Sequence, residues 1–444
     1  MPDHRFYFIG IGGIGMSAIA RYLLLQGKTI GGYDRTPTEL TADLEVQGAV
    51  ITFDASLSAL PHHFLTEETT VIYTPAIPSS HPQLRHFVNQ GNRLYKRAEY
   101  LGKLTKNRPT IAVAGTHGKT TTTAILTHLF TSLDQKFTAF VGGIMNKQSS
   151  NLAASGDEVF LVEADEFDRS FLQLHPTHAC ITSVDADHLD IYGTPDEVTS
   201  AYRAFAAQVK QSLIVAQGIA LPGLTYAVET SADFSMHNVV LEGYGYRFDL
   251  KTPSGDYPQL YFSQLGLHNL SNALAAFALA SQYGLDEQKL GEALGYFGGV
   301  QRRMQKVLEN DRHLLLDDYA HHPTEINAVL NTLRTAYPQE KICAVFQPHL
   351  YSRTRDFMAD FAAVLSQFDR TILMPIYPAR EEPITGITSA ALMDLMEGNA
   401  EVMLLSKETI RTQIDQFPER IKVVLGAGDI GIEVGHYRKK LMER

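Results

Sequence analysis

The 444-residue sequence predicts an α/β fold divided into three domains. Apolar, strand-like runs alternate with helical patterns almost from end to end, which is typical of α/β layers with mostly parallel sheets. The chain is also too long for one ordinary core, and two glycine loops each follow a strand and precede a helix. The predicted architecture is an N-terminal Rossmann-like domain, a central P-loop-type α/β domain with appended antiparallel strands, and a C-terminal Rossmann-like domain.

Two stretches set the predicted domain boundaries. LGKLTKNRPT (101–110) is polar and contains a proline, and GYFGGVQRRMQ (295–305) places glycines between a helix and a strand. Short alternating segments within 213–265 predict the antiparallel strands of the middle domain. The predicted domains are 1–106, 107–299 and 300–444.

Composition excludes several classes of protein. The net charge of −11 is spread without basic blocks, which argues against a nucleic-acid or membrane-surface footprint. No run approaches the roughly 18 apolar residues of a membrane span, and MPDHRFYF lacks the features of a signal peptide. Cys180 and Cys343 lie in apolar runs that predict buried strands, so we expect free core thiols and a reducing compartment. The sequence therefore predicts a soluble, cytoplasmic protein.

The first glycine loop follows the predicted strand FYFI. Gly10, Gly12 and Gly15 form G-x-G-x-x-G, and Asp34 ends the next predicted strand 19 residues after Gly15. Glycines allow a tight turn and close backbone approach, and the following helix N-terminus attracts a pyrophosphate. A tight turn that binds nothing is the plain alternative. A nicotinamide dehydrogenase is another, but it lacks an obvious hydride-transfer partner and leaves the second loop unexplained.

The second loop is contained in GTHGKTTTT, residues 115–123. The strand IAVAG precedes it and a helix follows, as in a P-loop, although Gly115 stands only three residues before Gly118. Lys119 can reach the β- and γ-phosphates of a nucleotide, and the two glycines expose backbone N–H groups. The Thr120 hydroxyl can hold Mg²⁺. The pattern predicts an ATP-binding loop.

Acidic and imidazole groups follow two later strands. Glu163 ends the strand in EVFLVEADEFD, and His188 follows the strand in HACITSVDADHLD. Because ligands bind outside the carboxyl ends of parallel strands, Glu163 and His188 are expected to converge beside Lys119. Carboxylates are natural ligands of Mg²⁺, whereas histidine is an unusual one. The remaining acidic residues there are interpreted as solvated loop charges or helix caps: Asp185, Asp187 and Asp190.

The chain resembles the Mur ligase family over nearly its whole length. The motifs that carry the resemblance are GIGGIGMSAIA, AGTHGKTTTTA, VEADEFDRSF, DADHLDIYG, GLHNLSNALAA, VQRRMQ, DDYAHHPTE and FQPHLYSRTRDF, in this order. They are most similar to the branch that joins L-alanine to UDP-N-acetylmuramate. That ligation makes the first peptide bond of the bacterial cell-wall precursor. The contracted GTHGKT is normal in that family. The branch that recycles murein tripeptide shares the ATP loop but departs from GIGGIGMS.

The resemblance implies a role for each matching position. The UDP-sugar would contact Gly10, Gly12, Gly13, Gly15, Met16, Asp34 and His117. ATP would contact Gly115, Thr116, Gly118, Lys119, Thr120, Thr121, His268, Asn269, Asn272, Arg303, Asp317 and Tyr319. Two Mg²⁺ ions, or Mn²⁺ in their place, would be held by Thr120, Glu163 and His188. The residues implied in catalysis are Lys119, His321, His349 and Arg353, the last three lining the alanine site.

The implied reaction uses UDP-N-acetylmuramate, ATP and L-alanine and passes through an acyl phosphate, with His321 or His349 as the proton acceptor. No nucleic acid and no membrane insertion are expected, and the protein would be a monomer or a homodimer. Leu350 stands where many relatives have an arginine, which removes one expected contact to the amino-acid carboxylate. Arg203 stands where several relatives have a modified lysine, so no carbamylated lysine is predicted. A regulator that uses ATP only as a switch is the alternative from another class.

Overall fold

The computed structural model describes residues 5–185, 192–379, 381–398 and 401–443. The chain divides into two compact units. The first unit comprises Met1–Val239, Arg247–Phe262 and Ser271–Gly298. The second comprises Val240–Tyr246, Ser263–Leu270 and Gly299–Arg444.

The N-terminal part builds a five-stranded parallel sheet. Its strands are β1 (Arg5–Ile9), β2 (Thr29–Tyr33), β3 (Val50–Thr52), β4 (Thr70–Tyr73) and β5 (Arg93–Lys96). Its helices are α1 (Ile14–Leu25), α2 (Glu39–Val46), α3 (Pro82–Asn89) and α4 (Arg97–Thr105), with single 3-10 turns at Leu57–Ala59 and His62–Phe64. The order β3-β2-β1-β4-β5 reverses beside β1. The first glycine loop therefore leaves β1 at the switch point where open α/β sheets bind ligands.

The residues of β1 show why its sequence is apolar throughout. Successive side chains of a strand point to opposite faces. Phe6 and Phe8 accordingly belong to one core cluster, and Tyr7 and Ile9 to another. A parallel strand buried on both faces reads as a continuous apolar run, which is how FYFI predicted it.

The middle part builds a ten-stranded sheet in the order β15-β14-β13-β12-β11-β10-β6-β9-β7-β8. Its strands are β6 (Thr110–Ala114), β7 (Phe137–Met145), β8 (Ser150–Ala154), β9 (Val159–Glu163), β10 (His178–Ile181), β11 (Ser212–Ala216), β12 (Leu224–Val228), β13 (Phe234–Glu242), β14 (Gly245–Lys251) and β15 (Asp256–Phe262). Its helices are α5 (Lys119–Ser132), α6 (Pro195–Ala206), α7 (Leu267–Gln282) and α8 (Glu287–Leu294), with a 3-10 segment at Phe167–Gln173. Strand β6 pairs in parallel with both β9 and β10, so the three carboxyl ends lie side by side.

The predicted antiparallel pairing does not hold for the first of the appended strands. β11 pairs in parallel with β10, β12 with β11, and β13 with β12. Long crossovers usually join parallel strands. Here each of the last two pairings involves only three residues on each strand, so a short return loop is sufficient.

The C-terminal part builds a six-stranded sheet in the order β16-β17-β21-β18-β19-β20. Its strands are β16 (Gln305–Glu309), β17 (Leu314–Asp318), β18 (Ile342–Phe346), β19 (Arg370–Leu373), β20 (Glu401–Leu404) and β21 (Ile421–Leu425). Its helices are α9 (Pro323–Ala336), α10 (Tyr351–Asp356), α11 (Met358–Leu365), α12 (Ser389–Asp394), α13 (Lys407–Gln413) and α14 (Ile430–Met442), with a 3-10 turn at Ile414–Gln416. Only β16 pairs in antiparallel fashion, at the edge.

The predicted α/β class with parallel-rich sheets is confirmed, whereas the exact domain boundaries stay a prediction. Cys180 and Cys343 are free, buried thiols within β10 and β18, as expected. Among the described residues, no helix combines the length and the apolar character that crossing a membrane requires.

Candidate active site

The second glycine loop connects β6 to α5. Gly118 precedes the first residue of α5 and has φ +82°, a left-handed conformation that favours glycine. The first turn of α5 contains no acidic residue. Its N–H groups and the positive end of its dipole therefore suit an anion such as a phosphate.

Lys119 is held by the loop itself and by one carboxylate. Its Nζ donates to the carbonyl oxygens of Gly115 (2.6 Å) and Thr116 (3.2 Å). The same Nζ lies 2.7 Å from Glu166 Oε2 and 2.9 Å from Oε1. Burial lowers the pKa of Lys119, but the surrounding carboxylates, Glu166 first, outweigh burial and raise it. The ammonium group is charged and fully engaged.

Glu166 is a residue that the motif reading missed. Its side chain is only 5% exposed, and burial raises its pKa to about 7 despite the opposing effect of Lys119. Tyr192 fixes the adjacent backbone by donating its hydroxyl proton to the Glu166 carbonyl oxygen at 2.6 Å. Perturbed carboxyl groups in a cleft are candidates for function. The available signal was a second glutamate three residues after Glu163.

Thr120 and Glu163 come together as predicted for two metal ligands, although their role stays a prediction. The Thr120 hydroxyl donates to Glu163 Oε1 at 2.9 Å, and Gly142 N–H donates to Oε2 at 2.8 Å. Hydroxyl and carboxylate oxygens are the hard donors that Mg²⁺ prefers, so this pair fits the ion. His188 lies outside the described residues, and no group of three or more His, Cys, Asp or Glu arranged for a metal occurs within the described part.

The other loop residues face β10 and the segment that follows it. The Thr116 hydroxyl donates to the Asp185 carbonyl oxygen at 3.1 Å, and His117 Nε2 lies 3.4 Å from Asp185 Oδ2. His117 N–H donates to Ser183 Oγ at 2.9 Å. Thr121 is buried within α5. These bonds hold the loop against the end of β10.

The first glycine loop is closed by its own acidic residue. Asp34, expected to contact the UDP-sugar, accepts the Gly12 N–H at 2.7 Å. Gly10 N–H donates to the Tyr33 carbonyl oxygen at 2.7 Å, and Gly13 precedes the first residue of α1. The Met16 side chain, also expected at the ligand, is buried in a core cluster.

One cavity of the first unit lies between the end of the first glycine loop and Glu163. Its volume is about 160 Å³. A methyl group at Gly15 would come within 3.1 Å of Arg97 Cδ, so the glycine makes room for this arginine. Arg97 in turn donates to Asp165 Oδ2 at 2.8 Å. The lining residues that matter here are Ile14, Gly15, Arg97, Gly142, Glu163 and Asp165. The start of α1 and the Glu163 carboxylate beside the phosphate loop thus line one cavity.

The H-N-x-x-N segment forms the start of α7. Asn272 lies beside the phosphate loop, where a Cβ on Gly118 would contact its amide. Asn269 donates its side-chain N–H to the Leu265 carbonyl oxygen at 2.7 Å. Burial lowers the pKa of His268 to about 4, so this imidazole is neutral at pH 7.

In the second unit, Tyr319 lies beside two arginines, and an aspartate lies beside one of them. The guanidinium groups of Arg302 and Arg303 each lie 5.0 Å from the centre of its ring. Asp317 Oδ1 is 3.7 Å from Arg302 Nε, and burial raises the pKa of Asp317 to about 7. Asp318 serves the backbone instead, accepting N–H groups from Met304 (2.6 Å) and Ala320 (2.8 Å).

The rings of two predicted alanine-site residues, His321 and His349, lie close together. The rings of His321 and His349 have centres 6.0 Å apart, and His349 stacks on Tyr377 with planes 17° apart. His321 Nδ1 is 2.9 Å from the Tyr319 carbonyl oxygen, which requires the proton on Nδ1 and leaves the lone pair on Nε2. Burial lowers the pKa of His321 to about 4.

Arg353 and Leu350 lie at the start of α10. Arg353 is 9% exposed, and its charge is one of the groups that lower the pKa of His321. Leu350, the departure from the family pattern, precedes the first residue of α10 with φ +71°. Its N–H donates to the Tyr377 carbonyl oxygen at 2.9 Å. The structure thus brings His321, His349 and Arg353 into one region of this unit.

The chain is similar to known proteins along its whole length. Three models match in order: Mur ligase family, catalytic domain (5–109), Mur ligase middle domain (113–280), and Mur ligase, glutamate ligase domain (302–433). The UDP-N-acetylmuramate–L-alanine ligase of Flavobacterium psychrophilum is 47% identical over 443 residues, 99% of each chain. The chain belongs to the Mur ligase family. The family resemblance predicted from the motifs is therefore confirmed.

Other members of the Mur ligase family extend the comparison. The UDP-N-acetylmuramate–L-alanine ligase of Christiangramia forsetii is 48% identical, with 99% of this chain and 98% of the relative covered. A crystal structure of UDP-N-acetylmuramate–alanine ligase from Thermotoga maritima matches with a TM-score of 0.85 at 26% identity, covering 99% of both chains. A murein peptide ligase from Psychrobacter arcticus shares the fold, with a TM-score of 0.71 at 21% identity and coverage of 99% and 98%.

Proposed function

We propose that this protein joins L-alanine to UDP-N-acetylmuramate with ATP as co-substrate, giving UDP-N-acetylmuramoyl-L-alanine, ADP and phosphate. The reaction is a step in peptidoglycan precursor synthesis. The observation that carries the proposal is the near-complete coverage of the chain by relatives named for this ligation, at 47% and 48% identity. The murein peptide ligase shares the fold at much lower identity, which leaves tripeptide as the weaker candidate acceptor.

The shared cavity supports the first chemical step. The lactoyl carboxylate is a poor electrophile until one of its oxygens becomes a leaving group. A carboxylate oxygen attacks the γ-phosphorus of ATP, the bond between that phosphorus and the β–γ bridging oxygen breaks, and ADP leaves. With the sugar nucleotide on the first loop, its carboxylate would meet the phosphates near the cavity between Gly15 and Glu163, and the lining of that cavity supports this.

Lys119, Thr120 and the α5 N-terminus act on the phosphates. Two anions must approach each other, so fixed positive charge and backbone N–H groups dominate catalysis of phosphoryl transfer. Lys119 is charged, and its Nζ reaches back over the loop to the Gly115 carbonyl oxygen. Thr120 and Glu163 would hold Mg²⁺, with His188 as a further ligand. When bound, the ion neutralises phosphate charge and orients the transferring group.

The second step uses the residues of the third sheet. The alanine amine attacks the acyl carbon, the bond from that carbon to the phosphate oxygen breaks, and phosphate leaves with one former carboxylate oxygen. The amine must be neutral to attack and must then lose a proton. His321 or His349 is the proton acceptor; on His321 the lone pair is on Nε2, because Nδ1 is committed to a backbone carbonyl. Arg353 pairs with the alanine carboxylate.

Arg303, Asp317 and Tyr319 are assigned to the nucleotide, and His268, Asn269 and Asn272 to its adenine. Two observations support the first of these assignments. The Arg303 guanidinium lies beside the Tyr319 ring, and Asp317 is on β17 two residues before Tyr319. The two free, buried cysteines support a reducing compartment such as the cytoplasm.

An isotope experiment tests the acyl-phosphate route. UDP-N-acetylmuramate labelled with ¹⁸O in the lactoyl carboxylate is incubated with ATP, Mg²⁺ and L-alanine, and the products are measured by mass spectrometry. One ¹⁸O atom is expected in the released phosphate and the other in the new amide. Phosphate without label, with the product formed, would contradict carboxylate activation by phosphoryl transfer.

A further inference from the structure

The segment that leads into the third sheet has an unusual backbone. Arg302 and Met304 have φ values of +59° and +45°, in the left-handed region that non-glycine residues seldom adopt. Both flank Arg303, the arginine assigned to the nucleotide. Such residues persist only where surrounding contacts over-determine them, and they are found at functional sites.

Backbone contacts within the second unit hold this segment in place. The Arg302 N–H donates to Gln305 Oε1 at 2.9 Å, and the Arg302 carbonyl oxygen accepts from Tyr319 N–H at 2.7 Å. The Met304 N–H donates to Asp318 Oδ2 at 2.6 Å. The backbone on both sides of Arg303 is therefore fixed by Gln305 of β16, Asp318 of β17 and Tyr319 directly after β17.

The Arg302 side chain bonds the segment to a second G-x-G-x-x-G pattern, near the C-terminal end of the chain. Residues 426–431 read GAGDIG, a G-x-G-x-x-G that begins directly after β21 and ends in the first turn of α14. The Arg302 guanidinium donates to the carbonyl oxygens of Gly426 and Gly428, the latter at 3.4 Å. A Cβ at Gly431 would overlap the same guanidinium. The absence of that Cβ is what admits Arg302.

This loop is consequently a socket for an arginine and not an anion site. Its carbonyl oxygens, not its N–H groups, face the guanidinium. The N–H of Ile430, the first residue of α14, donates to Gln347 Oε1 at 3.0 Å. G-x-G-x-x-G binds a pyrophosphate in dinucleotide-binding proteins. In this unit it binds the Arg302 side chain.

The seated guanidinium reaches the nucleotide residues through Tyr319. Arg302 and Arg303 both contact that ring, with guanidinium-to-centre distances of 5.0 Å. Arg302 also lies beside Asp317, with 3.7 Å from Nε to Oδ1. A cation held against an aromatic face restricts the ring. Arg302 thus contacts two of the residues assigned to ATP and directly precedes the third.

We propose that Arg302, seated in the GAGDIG socket, is a positioning residue that orders Arg303 and Tyr319 for the nucleotide. This inference rests on the proposed function, in which Arg303 and Tyr319 contact ATP. Arg302 itself binds carbonyl oxygens and an aromatic ring, and touches no reacting atom.

A double-mutant cycle on the full-length enzyme tests the proposal. Arg302→Ala is expected to raise the KM for ATP about tenfold, because small misplacements of positioning groups have effects of that order or larger. The KM values for L-alanine and UDP-N-acetylmuramate should change by less than about twofold, because the residues that Arg302 orders are assigned to ATP. Because Arg302 acts in part through Arg303, the effects of the two substitutions on the KM for ATP should be less than additive in the double variant. Arg334→Ala is the control, since Arg334 also bonds a carbonyl oxygen and a carboxylate in this unit.

A second pair of variants approaches the socket from the other side. Gly431→Ala pushes against the guanidinium, whereas Gly435→Ala, one turn further along α14, meets no atom within 4 Å. Gly431→Ala should raise the KM for ATP with little loss of thermal stability, and Gly435→Ala should leave it unchanged. This pair keeps the test informative where Arg302→Ala fails to fold.

The outcomes separate the two proposals. Wild-type enzyme that releases phosphate without requiring L-alanine overturns the proposed function. Active wild-type enzyme whose Arg302→Ala and Gly431→Ala variants keep the KM for ATP overturns the positioning role alone. Additive effects of Arg302→Ala and Arg303→Ala, or equal rises in all three KM values, overturn it as well.

Discussion

Lys119 and Glu166 form a buried ion pair, with 2.7 Å between Nζ and Oε2. Lys119 also donates to the carbonyl oxygens of Gly115 and Thr116, so its three N–H donors all have partners within the chain. A γ-phosphate that takes Lys119 must therefore replace one of these acceptors. Glu166, the one charged acceptor, is the group with which the phosphate competes.

Replacement of Glu166 by Gln should tighten nucleotide binding. An amide oxygen is a weaker acceptor for an ammonium than a carboxylate, so ATP displaces it more readily; we expect an affinity about fivefold higher. Titration calorimetry with ADP or a non-hydrolysable ATP analogue measures this. Asp168→Asn is the matched control, because Asp168 belongs to the same segment but pairs with Lys96 at the surface. Weaker binding by the Gln variant would show that Glu166 assists the nucleotide.

The same pair predicts a pH dependence. Burial raises the pKa of Glu166 to about 7, so the carboxyl group gains a proton as the pH falls through 7. Protonation weakens its hold on Lys119. Nucleotide affinity of the wild type should therefore rise between pH 8 and pH 6, relative to the Gln variant, which does not titrate at this position. Parallel affinity curves for the two proteins over this interval would refute the competition.

The sequence predicted the framework of this site but not its counter-ion. β6 and β9 were recognisable as apolar runs, and their parallel pairing places the phosphate loop beside Glu163. Glu166 lies beyond the strand, in a segment whose Asp168 and Arg169 have positive φ values, and no periodic pattern predicts where such a turn directs a side chain. The approach of Glu166 to Lys119 is a tertiary contact between separate segments.

The third sheet shows the same limit. GAGDIG has the glycine spacing of a phosphate loop, yet it holds Arg302 instead. In the middle sheet, the parallel pairing of β11, β12 and β13 was also missed, because alternation along a strand does not specify the direction of the strand beside it.

Glu163→Gln should raise the Mg²⁺ concentration needed for half-maximal activity. The variant keeps the side-chain shape but removes the charge that a hard cation prefers, and we expect a rise of about tenfold. Activity is measured as a function of Mg²⁺ at saturating substrates. Glu158→Gln serves as control, because Glu158 is exposed just before the opposite end of β9. An unchanged Mg²⁺ requirement would remove Glu163 from the metal site.

Arg353→Ala should raise the KM for L-alanine far more than the KM for ATP. A buried guanidinium that pairs with a carboxylate contributes on the order of 2 kcal/mol, or roughly thirtyfold in KM. Arg355→Ala is the control, since Arg355 lies on the same helix but pairs with Asp356 at the surface. Equal effects of Arg353→Ala on both substrates would place Arg353 outside the alanine site.

Asp317→Asn should stabilise the protein more at pH 8 than at pH 5. Burial raises the pKa of Asp317 from 3.8 to about 7, so between these values the folded state holds a proton that the unfolded chain has released. The stability contributed by this group is present at low pH and is lost as the pH rises through 7. Asn mimics the protonated acid and does not titrate. The difference between variant and wild type should grow by about 2 kcal/mol from pH 5 to pH 8.

Thermal unfolding at the two pH values measures this difference. Asp311→Asn is the matched control, because Asp311 is an exposed aspartate in the same unit. A gain from Asp317→Asn that is equal at pH 5 and pH 8 would mean that this carboxyl group is ionised in the folded protein throughout that range.

The most direct test of the central claim is phosphate release by the purified protein. The reaction contains ATP, Mg²⁺ and UDP-N-acetylmuramate, with and without L-alanine, with murein tripeptide as a parallel acceptor and Lys119→Ala as the inactive control. The account predicts release that requires both UDP-N-acetylmuramate and L-alanine and is lost in the Lys119 variant. Release that requires the tripeptide instead, or that ignores both acceptors, would contradict it.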